Sequence, residues 1–438
     1  MNLMIHQEKT SASPLTIVVA VVSSSLILLR DVSGLPIPKA VFIVLFALAF
    51  VILKAGDIYC LLAFITPLAA GISYTFLSAI ALIAILLKRK ISCDFGAIVY
   101  IICIFLIELC SAFQGDFSIV EYLRFASVFC VAFLFAIDKE PGENYESIIK
   151  FFLFGLIVAL IDIWGQMLSV YSFREILSLS IRFGNTRKAL NEENMEGLLV
   201  HFNQNALGTF CNISMLLCLI MYKQSGKKGY LLLALIVVLQ GVMTGSRTFV
   251  LVCALFILTV LVASATDFRT AVKNGLLYLA FGVLVILAIK FAVPTYWGNL
   301  VKRFSEVDVS GGRFRLLREY FTLWWNSSPY RLLFGSGLQN YVTKYHMYQS
   351  CHCSIQEIII TWGIVGFFFV IVLFISIFHD AKRKNPRIQK IQYLPMLCLI
   401  TSSLSGQGFS IGSQTLLIMV AYSIMMINLC DEHTVSIS

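Results

Sequence analysis

The chain has 438 residues, of which 59% are hydrophobic and only 13% charged, and its net charge is +9. A soluble domain is typically about 45–50% apolar and about 25% charged, so this composition excludes a soluble enzyme, a disordered protein and a protein that binds nucleic acid. A transporter, a channel and a membrane-embedded enzyme all remain compatible with it.

Thirteen apolar segments follow one another along the chain, and most have the roughly 20 residues that a membrane-spanning helix needs. They lie at about 14–30, 38–54, 58–88, 94–113, 119–137, 147–169, 199–221, 228–244, 248–265, 273–293, 354–378, 391–406 and 411–430. The segment at 58–88 is too long for one ordinary span and has Pro67 and Gly71 near its middle. It predicts either one tilted helix, giving thirteen crossings, or a hairpin of two helices turning near 69–72, giving fourteen. We expect the hairpin.

Three short basic loops set the expected orientation, because the positive-inside rule places such loops in the cytoplasm. They lie at 88–90, 223–228 and 380–390. With fourteen crossings, both ends of the chain are cytoplasmic, and the long polar segments 170–198 and 294–353 lie on the outer face. The basic content of the second segment does not conflict with this, since long loops are translocated largely regardless of charge.

These expectations divide the chain into three regions. Residues 1–293 form an N-terminal transmembrane bundle that includes the outer loop at about 170–198, residues 294–353 form a large outer loop, and residues 354–438 form the C-terminal transmembrane helices. The predicted fold class is an all-α polytopic membrane protein with about 12–14 transmembrane helices and one large, partly helical outer loop.

The large outer loop contains a predicted amphipathic helix that begins after Gly311 and Gly312 and ends before Pro329. The helical period places on one face Phe314, Leu317, Tyr320, Phe321, Trp324 and Trp325, and on the opposite face Arg315, Arg318 and Glu319. Arg313 falls on the edge of the apolar face, which favours phosphate binding at the membrane surface. The alternative is an interfacial helix whose arginines reach out to water.

Arg247 is a second arginine in an unusual position, because it lies in a tight turn at 243–248 between two strongly apolar runs. Arginine in such a place is costly and is by default a functional-site candidate, with an arginine that snorkels to the interface as the alternative. The loop 294–353 contains five arginines against two lysines, and the planar guanidinium suits bidentate phosphate recognition.

Two of the six histidines, His346 and His352, lie in the large outer loop shortly before a span. Histidine is the usual general base for a sugar hydroxyl near neutral pH, and Glu357 is placed to orient or assist His352. The alternative is that either histidine is only part of the polar surface. Which of the two is the base stays open. Glu108 and Asp162 lie inside spans, which marks them as buried groups without an assigned role.

The outer loops contain no Asp-x-Asp, no P-loop and no Gly-rich nucleotide fingerprint. We therefore expect no metal and no cofactor. An enzyme on the outer face has no access to cytoplasmic nucleotide sugars, so an activated sugar donor has to be linked to a lipid.

The order of these motifs resembles the O-antigen polymerase and O-antigen ligase superfamily of bacterial polytopic membrane glycosyltransferases. The resembling features, over about 195–370, are Asn203 and Asn205 at the opening of a span, Ser246-Arg247 in a short outer turn, Gly312-Arg313 before an aromatic helix, Pro329 with Phe334-Gly-Ser-Gly337, a His before a span, and Glu357 with Gly363-Ile-Val-Gly366. One departure is that Cys353 follows His352 where the family often has Asn.

The resemblance implies a multi-pass protein of the bacterial inner membrane with its active site facing the periplasm. Its donor would be an oligosaccharide on undecaprenyl diphosphate. The implied diphosphate ligands are Arg247, Arg313, Arg315 and Arg318, the implied catalytic residues are His352 and Glu357, and the implied acceptor or glycan ligands are Asn203, Asn205 and His346. Further expected partners are membrane lipids and a chain-length regulator protein, and no nucleic acid is expected.

Three functions fit this arrangement. A polymerase joins lipid-linked repeat units, whereas a ligase transfers the finished chain to lipid A–core with the same parts. A flippase or other transporter of lipid-linked oligosaccharides would place functional charges along the spans towards the midplane, whereas here the cations gather in one outer loop. We expect an enzyme, and the polymerase first, because the chain has many spans and little sequence beyond the expected loop.

Overall fold

The computed structural model describes residues 12–68, 73–93, 95–110, 119–138, 144–178, 182–184, 198–201, 203–263, 267–305, 312–338, 342, 345–347, 351–404 and 413–429. These ranges are mainly helical and contain no β-strand. The predicted all-α class is confirmed.

Eighteen α-helices are described in these ranges. In chain order they are α1 Pro14–Asp31, α2 Lys39–Ile52, α3 Ala55–Ile65, α4 Tyr74–Lys88, α5 Phe95–Cys110, α6 Ile119–Ile137, α7 Tyr145–Leu168, α8 Phe173–Leu177, α9 Gln204–Ser225, α10 Gly229–Met243, α11 Arg247–Ala263, α12 Phe268–Ala292, α13 Pro294–Phe304, α14 Arg313–Trp325, α15 Pro329–Phe334, α16 Ser354–Lys384, α17 Leu394–Ser403 and α18 Leu417–Met426.

The membrane character of the chain follows from its longest helices. Among the described residues, five helices are long and apolar enough to cross a bilayer, namely α1, α6, α7, α9 and α16, and several shorter apolar helices accompany them. The segment 58–88 forms two helices, α3 and α4, so the expected division is confirmed; its turn at 69–72 lies outside the described residues. The number of crossings stays a prediction.

Short apolar helices form the centre of the bundle. Residues Ile58 to Ile65 of α3 and every residue of α18 are buried, and a helix that is hydrophobic all round is stable only when it is covered on all sides. The longer helix α7 packs against both of them, and α6 packs against α18 and touches α3 through the ring pair Phe135–Tyr59.

The helix ends fall into two groups, and polar contacts join the members of each group. One group, called the Lys384 end, joins the ends of α2, α4, α6, α16 and α18. Its contacts are Lys88 Nζ to the Val51 carbonyl at 2.8 Å, Arg89 to Asp138 at 2.9 Å, Lys384 to the Asp138 carbonyl, and Asn385 Nδ2 to the Met425 carbonyl at 2.9 Å. Two of the three basic loops, 88–90 and 380–390, therefore lie at one end of the bundle.

The other group, called the Arg247 end, joins the end of α1 to the starts of α9, α11, α14 and α16. Its contacts are Asp31 Oδ2 with the Leu199 amide at 2.8 Å, Asn205 with Ser246 at 3.1 Å, Arg313 with Thr248 at 3.2 Å, and Gln356 with the Leu317 carbonyl at 2.6 Å. This sorting agrees with the alternation that successive crossings require. Which compartment each end faces stays a prediction.

The segment 294–353 is partly helical, as predicted, because α13, α14 and α15 all lie within it. That it forms an outer loop stays a prediction. α14 begins directly after Gly312, whose φ is +84°, and ends at Asn326. The predicted turn residue Gly311 lies outside the described residues.

Helix α16 is broken at Gly363, where φ is 67° and ψ is −170°. The segment that follows α15, which we call the crossing segment, lies against α16 at this break. The Ser336 amide donates to the Ile360 carbonyl at 2.9 Å, and the Gly337 amide donates to the Thr361 carbonyl at 2.8 Å. A Cβ on Gly335 would lie 2.2 Å from the Thr361 carbonyl, and a Cβ on Gly363 would lie 2.1 Å from the Leu333 carbonyl. Only glycine fits at either position.

Candidate functional site

Four helices start at the Arg247 end, and each start coincides with a residue singled out in the sequence. α9 begins after Asn203, α11 begins at Arg247, α14 begins at Arg313 and α16 begins two residues after His352. The first amides of a helix lack partners within it and carry a partial positive charge. Helix starts that meet at one place therefore favour an anion there.

The starts of α9 and α11 are tied through two asparagines and a serine. Asn203 Oδ1 accepts from the Asn205 amide at 2.9 Å and so caps α9. Asn205 Oδ1 accepts from the Ser246 hydroxyl at 3.1 Å, and Ser246 Oγ accepts from the Phe249 amide in the first turn of α11 at 3.3 Å. The structure thus brings Asn205 to the residue next to Arg247.

The turn between α10 and α11 fixes the position of Arg247. Gly245 has φ of +58°, and the Thr244 hydroxyl accepts from the Ser246 amide at 3.2 Å. Arg247 follows at once as the first residue of α11 and is half-buried.

Arg182 is a site residue that sequence reasoning missed. Its Nε donates to the Thr244 carbonyl at 2.7 Å, and the amide of the buried Phe183 donates to the Met243 carbonyl at 3.0 Å. The segment that contains Arg182 and Phe183 therefore docks onto the turn before Arg247. The only sequence signal was an arginine beside a phenylalanine in a polar stretch, which is too weak to identify it.

Arg313 lies beside Arg247. Arg313 Nη1 donates to the Thr248 hydroxyl at 3.2 Å, although the two residues are 65 positions apart. The pKa of Arg313 is lowered, first by burial of its half-buried side chain and then by the positive charge of Arg247. Two guanidinium groups in this arrangement match a ligand with at least two negative charges.

His352 lies close enough to Arg313 for the charge of that arginine to act on it. Its pKa is lowered, first by burial and then by the positive charge of Arg313, so its imidazole is neutral at pH 7 and able to accept a proton. Its φ of +51° lies in the left-handed region, which is sparsely used by residues other than glycine. We call Arg247, Arg313 and His352 the arginine–histidine cluster.

Packing on both sides holds His352 in this conformation. Cys351 is fully buried against Leu316 and Tyr320 of α14, and Cys353 is buried at the start of α16. Glu357 is buried in the first turn of α16, where its amide donates to the Cys353 carbonyl at 2.9 Å. The structure therefore places Glu357 in the helix turn that follows His352.

The predicted faces of α14 are wrong in part. The buried stripe consists of Leu316, Tyr320 and Trp324, whereas Phe314, Phe321 and Trp325 are exposed. This helix has two apolar stripes. The stripe that follows Arg313, with Leu316, Tyr320 and Trp324, packs against Cys351 and Ile360. Arg313 therefore starts on the protein-facing stripe instead of at its edge.

Three predicted ligands are exposed and outside the buried part of the cluster. Arg315 pairs with Glu319 one turn later at 3.5 Å, and Arg318 and His346 are exposed. His346 shares the left-handed backbone of His352, with φ of +52°. The roles of Arg315, Arg318 and His346 in ligand binding stay predictions.

Glu108 supports the break in α16. Its carboxylate is buried and accepts from the Leu338 amide at 3.0 Å and from Trp362 Nε1 at 2.7 Å. It thereby joins α5 to the crossing segment and to the half of α16 that follows His352. The sequence marked Glu108 as a buried charge, and the structure supplies its partners.

No protein-family model matches this chain, and no curated protein matches its sequence. Within the described ranges, no three His, Cys, Asp or Glu side chains are grouped so as to hold a metal ion.

Proposed function

We propose that this chain is a glycosyltransferase of the O-antigen polymerase type, joining oligosaccharide repeat units that are carried on undecaprenyl diphosphate at the periplasmic face of the bacterial inner membrane. The observation that carries the proposal is the meeting of Arg247 and Arg313 at two helix starts, beside a histidine whose pKa is lowered.

The arginines act on the leaving group. As the bond between the donor sugar and its diphosphate breaks, negative charge develops on the diphosphate, and fixed cations in a poorly hydrated site stabilise that charge most. Arg313 is held by Thr248 and Arg247 by the tight turn, so neither has to reorganise during the reaction. The amides at the starts of α11 and α14 add to the same field.

His352 acts on the acceptor. Its neutral imidazole takes the proton of an acceptor hydroxyl while that oxygen forms a bond to the anomeric carbon of the donor. The diphosphate departs with the electron pair of the broken bond. Bound diphosphate also offsets the charge of Arg313, which strengthens His352 as a base when the donor is present.

A transporter is less well supported than an enzyme. Glu108, which the sequence flagged, accepts from the Leu338 amide, and Asp31, at the Arg247 end, accepts from the Leu199 amide. A transporter is expected to gather charged groups near the midplane. The ligase uses the same cluster with a different acceptor, so the acceptor has to be identified by experiment.

Gel analysis of lipopolysaccharide from a deletion strain tests the proposal. We expect a single repeat unit on the core, restored to long chains by the wild-type chain and by Arg174→Ala, which alters an exposed arginine in α8, but not by Arg247→Ala or Arg313→Ala. Bare core with accumulated lipid-linked polymer would identify a ligase, and loss of all translocated units would identify a flippase. Unaltered chain lengths in both arginine variants would reject the site.

A further inference from the structure

Two buried carboxyl groups meet at the Arg247 end, where α1 and α7 end. The side chain of Asp31 is 1% exposed and Asp162 is 0% exposed. Both carboxyl groups are tied to Val200: Asp31 accepts from its amide, and Asp162 accepts from Gln166, which also donates to the Val200 carbonyl. The charge of Asp31 acts on Asp162. Neither belongs to the arginine–histidine cluster.

The surroundings of the two groups differ. Asp31 Oδ2 accepts from the amides of Leu199 and Val200 at 2.8 and 2.9 Å, and Asp31 Oδ1 lies 3.4 Å from Arg30 Nε. The charge of Lys39 also acts on Asp31. All these partners favour the ionised carboxylate.

Asp162 has no comparable support. Its Oδ1 accepts from Gln166 Nε2 at 2.9 Å, and the same amide nitrogen donates to the Val200 carbonyl at 2.9 Å. Among the described residues, neither Asp162 Oδ2 nor Asp31 Oδ1 has a hydrogen-bond partner, and both atoms are buried. Two ionised carboxylates facing each other away from water would repel strongly and leave both oxygens unsatisfied.

One proton removes both problems. We propose that Asp162 is a neutral carboxylic acid that donates from Oδ2 to Asp31 Oδ1, so that the two acids share a single proton. The neutral form suits the site of Asp162, which is buried and faces an acceptor, and the ionised form suits Asp31, which faces donors. A cleft of about 510 Å³ lined by Arg30, Asp31, Gln166 and Ser169 borders the Asp31 side of the pair.

The shared proton fastens the segment 198–201 to the bundle. Asp31 holds the amides of this segment and Gln166 holds its Val200 carbonyl, so α1, α7 and the segment form one hydrogen-bonded unit. The segment leads directly into Asn203 and the start of α9, which contacts Ser246. Asp31 and Asp162 are therefore positioning residues for the arginine–histidine cluster; only their effect on catalysis rests on the proposed function.

Isosteric variants of the full-length chain in nanodiscs test this assignment. Asp162→Asn keeps a donor towards Asp31, so its unfolding temperature is expected to stay within about 2 °C of wild type, whereas Asp162→Ala and Asp31→Asn are expected to unfold several degrees lower. An unfolding temperature of Asp162→Asn as low as that of Asp162→Ala would overturn the proposal.

The proton itself has a spectroscopic signature and a pH dependence. Infrared spectra of the wild type are expected to show the carbonyl band of a buried protonated carboxyl group, and that band disappears in Asp162→Asn. Raising the pH removes the proton from the folded state, so wild-type stability falls with rising pH and that of Asp162→Asn does not. His201, the other titratable group of the segment, is present in both chains and cancels in the comparison.

A metal ion between the two carboxylates is the competing outcome. If added sodium raised the unfolding temperature of the wild type but not that of Asp162→Asn, and the carbonyl band were missing, the proton assignment would be wrong. None of these measurements uses glycosyl transfer, so the proposal and the proposed function fail independently.

Discussion

Arg313 Nη1 donates to the Thr248 hydroxyl at 3.2 Å and so sets its guanidinium beside Arg247, the residue before that threonine. The hydrogen bond joins the first turn of α14 to the first turn of α11, which are separated by α12 and α13 in the chain. Because both arginines open a helix, the geometry of the pair is set by backbone packing as well as by this one contact.

Removing the threonine hydroxyl is expected to weaken the reaction mildly. Thr248→Val deletes the acceptor but leaves both cations in place, and a net hydrogen bond of about 1 kcal/mol corresponds to a loss of roughly fivefold in kcat/KM. Thr322→Val is the matched control, because that hydroxyl donates to the Arg318 carbonyl of its own helix at 2.8 Å and, within the described ranges, has no second partner. Equal losses in the two variants, measured with a lipid-linked donor, would show that the contact does not position Arg313.

Removing either guanidinium of the pair is expected to cost far more. Under the proposed function, Arg247→Ala and Arg313→Ala each delete a fixed cation at the leaving group, and comparable deletions lower the rate by about 10²–10³-fold. The double variant is expected to lose much less than the product of the single losses, because the two groups act on one charge. Arg315→Ala is expected to change the rate little, since its side chain is exposed and paired with Glu319. A loss in Arg315→Ala as large as in Arg313→Ala would place the diphosphate on the outer face of α14.

The pH dependence is expected to differ between kcat/KM and kcat. The pKa of His352 is lowered by burial and by Arg313 in the free protein, so activity falls only when the pH drops below this lowered pKa and the imidazole becomes protonated. In the donor complex the diphosphate offsets Arg313, so the pKa rises and the acid limb of kcat lies at higher pH than that of kcat/KM.

A variant of His352 checks this assignment. His352→Gln is expected to lower kcat by about 10²–10⁴-fold and to abolish the acid limb, whereas His379→Gln, at an exposed position near the Lys384 end of α16, leaves both unchanged. An acid limb that persisted in His352→Gln would transfer the role of base to another group, with His346 the next to test.

The sequence located most of the helices because apolar runs, prolines and charged ends set the length of a span. It divided 58–88 into α3 and α4 for the same reason. Because successive membrane crossings alternate in direction, the order of the spans was enough to place Arg247, Arg313 and His352 at one end of the bundle. It could not bring them into contact, because contact depends on which helix starts pack together, and no periodicity records that.

The faces of α14 show where periodicity fails. Phe314 and Tyr320 are both aromatic, but only Tyr320 is buried. A hydrophobic pattern identifies a buried stripe when exposure to water penalises the other face, and aromatic side chains at a membrane surface carry no such penalty. Arg182 was missed for a different reason, since its contact is with a backbone carbonyl, and any residue type can supply one.

The break in α16 predicts which glycines the fold requires. Gly363→Ala and Gly335→Ala both force a Cβ to about 2.1–2.2 Å from a backbone carbonyl that cannot move without separating α15 from α16, so each is expected to cost more than about 4 kcal/mol of stability. Gly34→Ala is the control, because its φ is +72° and no atom lies within 4 Å of the added Cβ; its cost is confined to the left-handed backbone, roughly 1–2 kcal/mol. Unfolding of the purified variants by heat in one detergent separates the two costs. If Gly34→Ala were as destabilising as Gly363→Ala, the close approach of the crossing segment would not be what requires glycine, and the hydrogen bonds from Ser336 and Gly337 to α16 would have to form in another way.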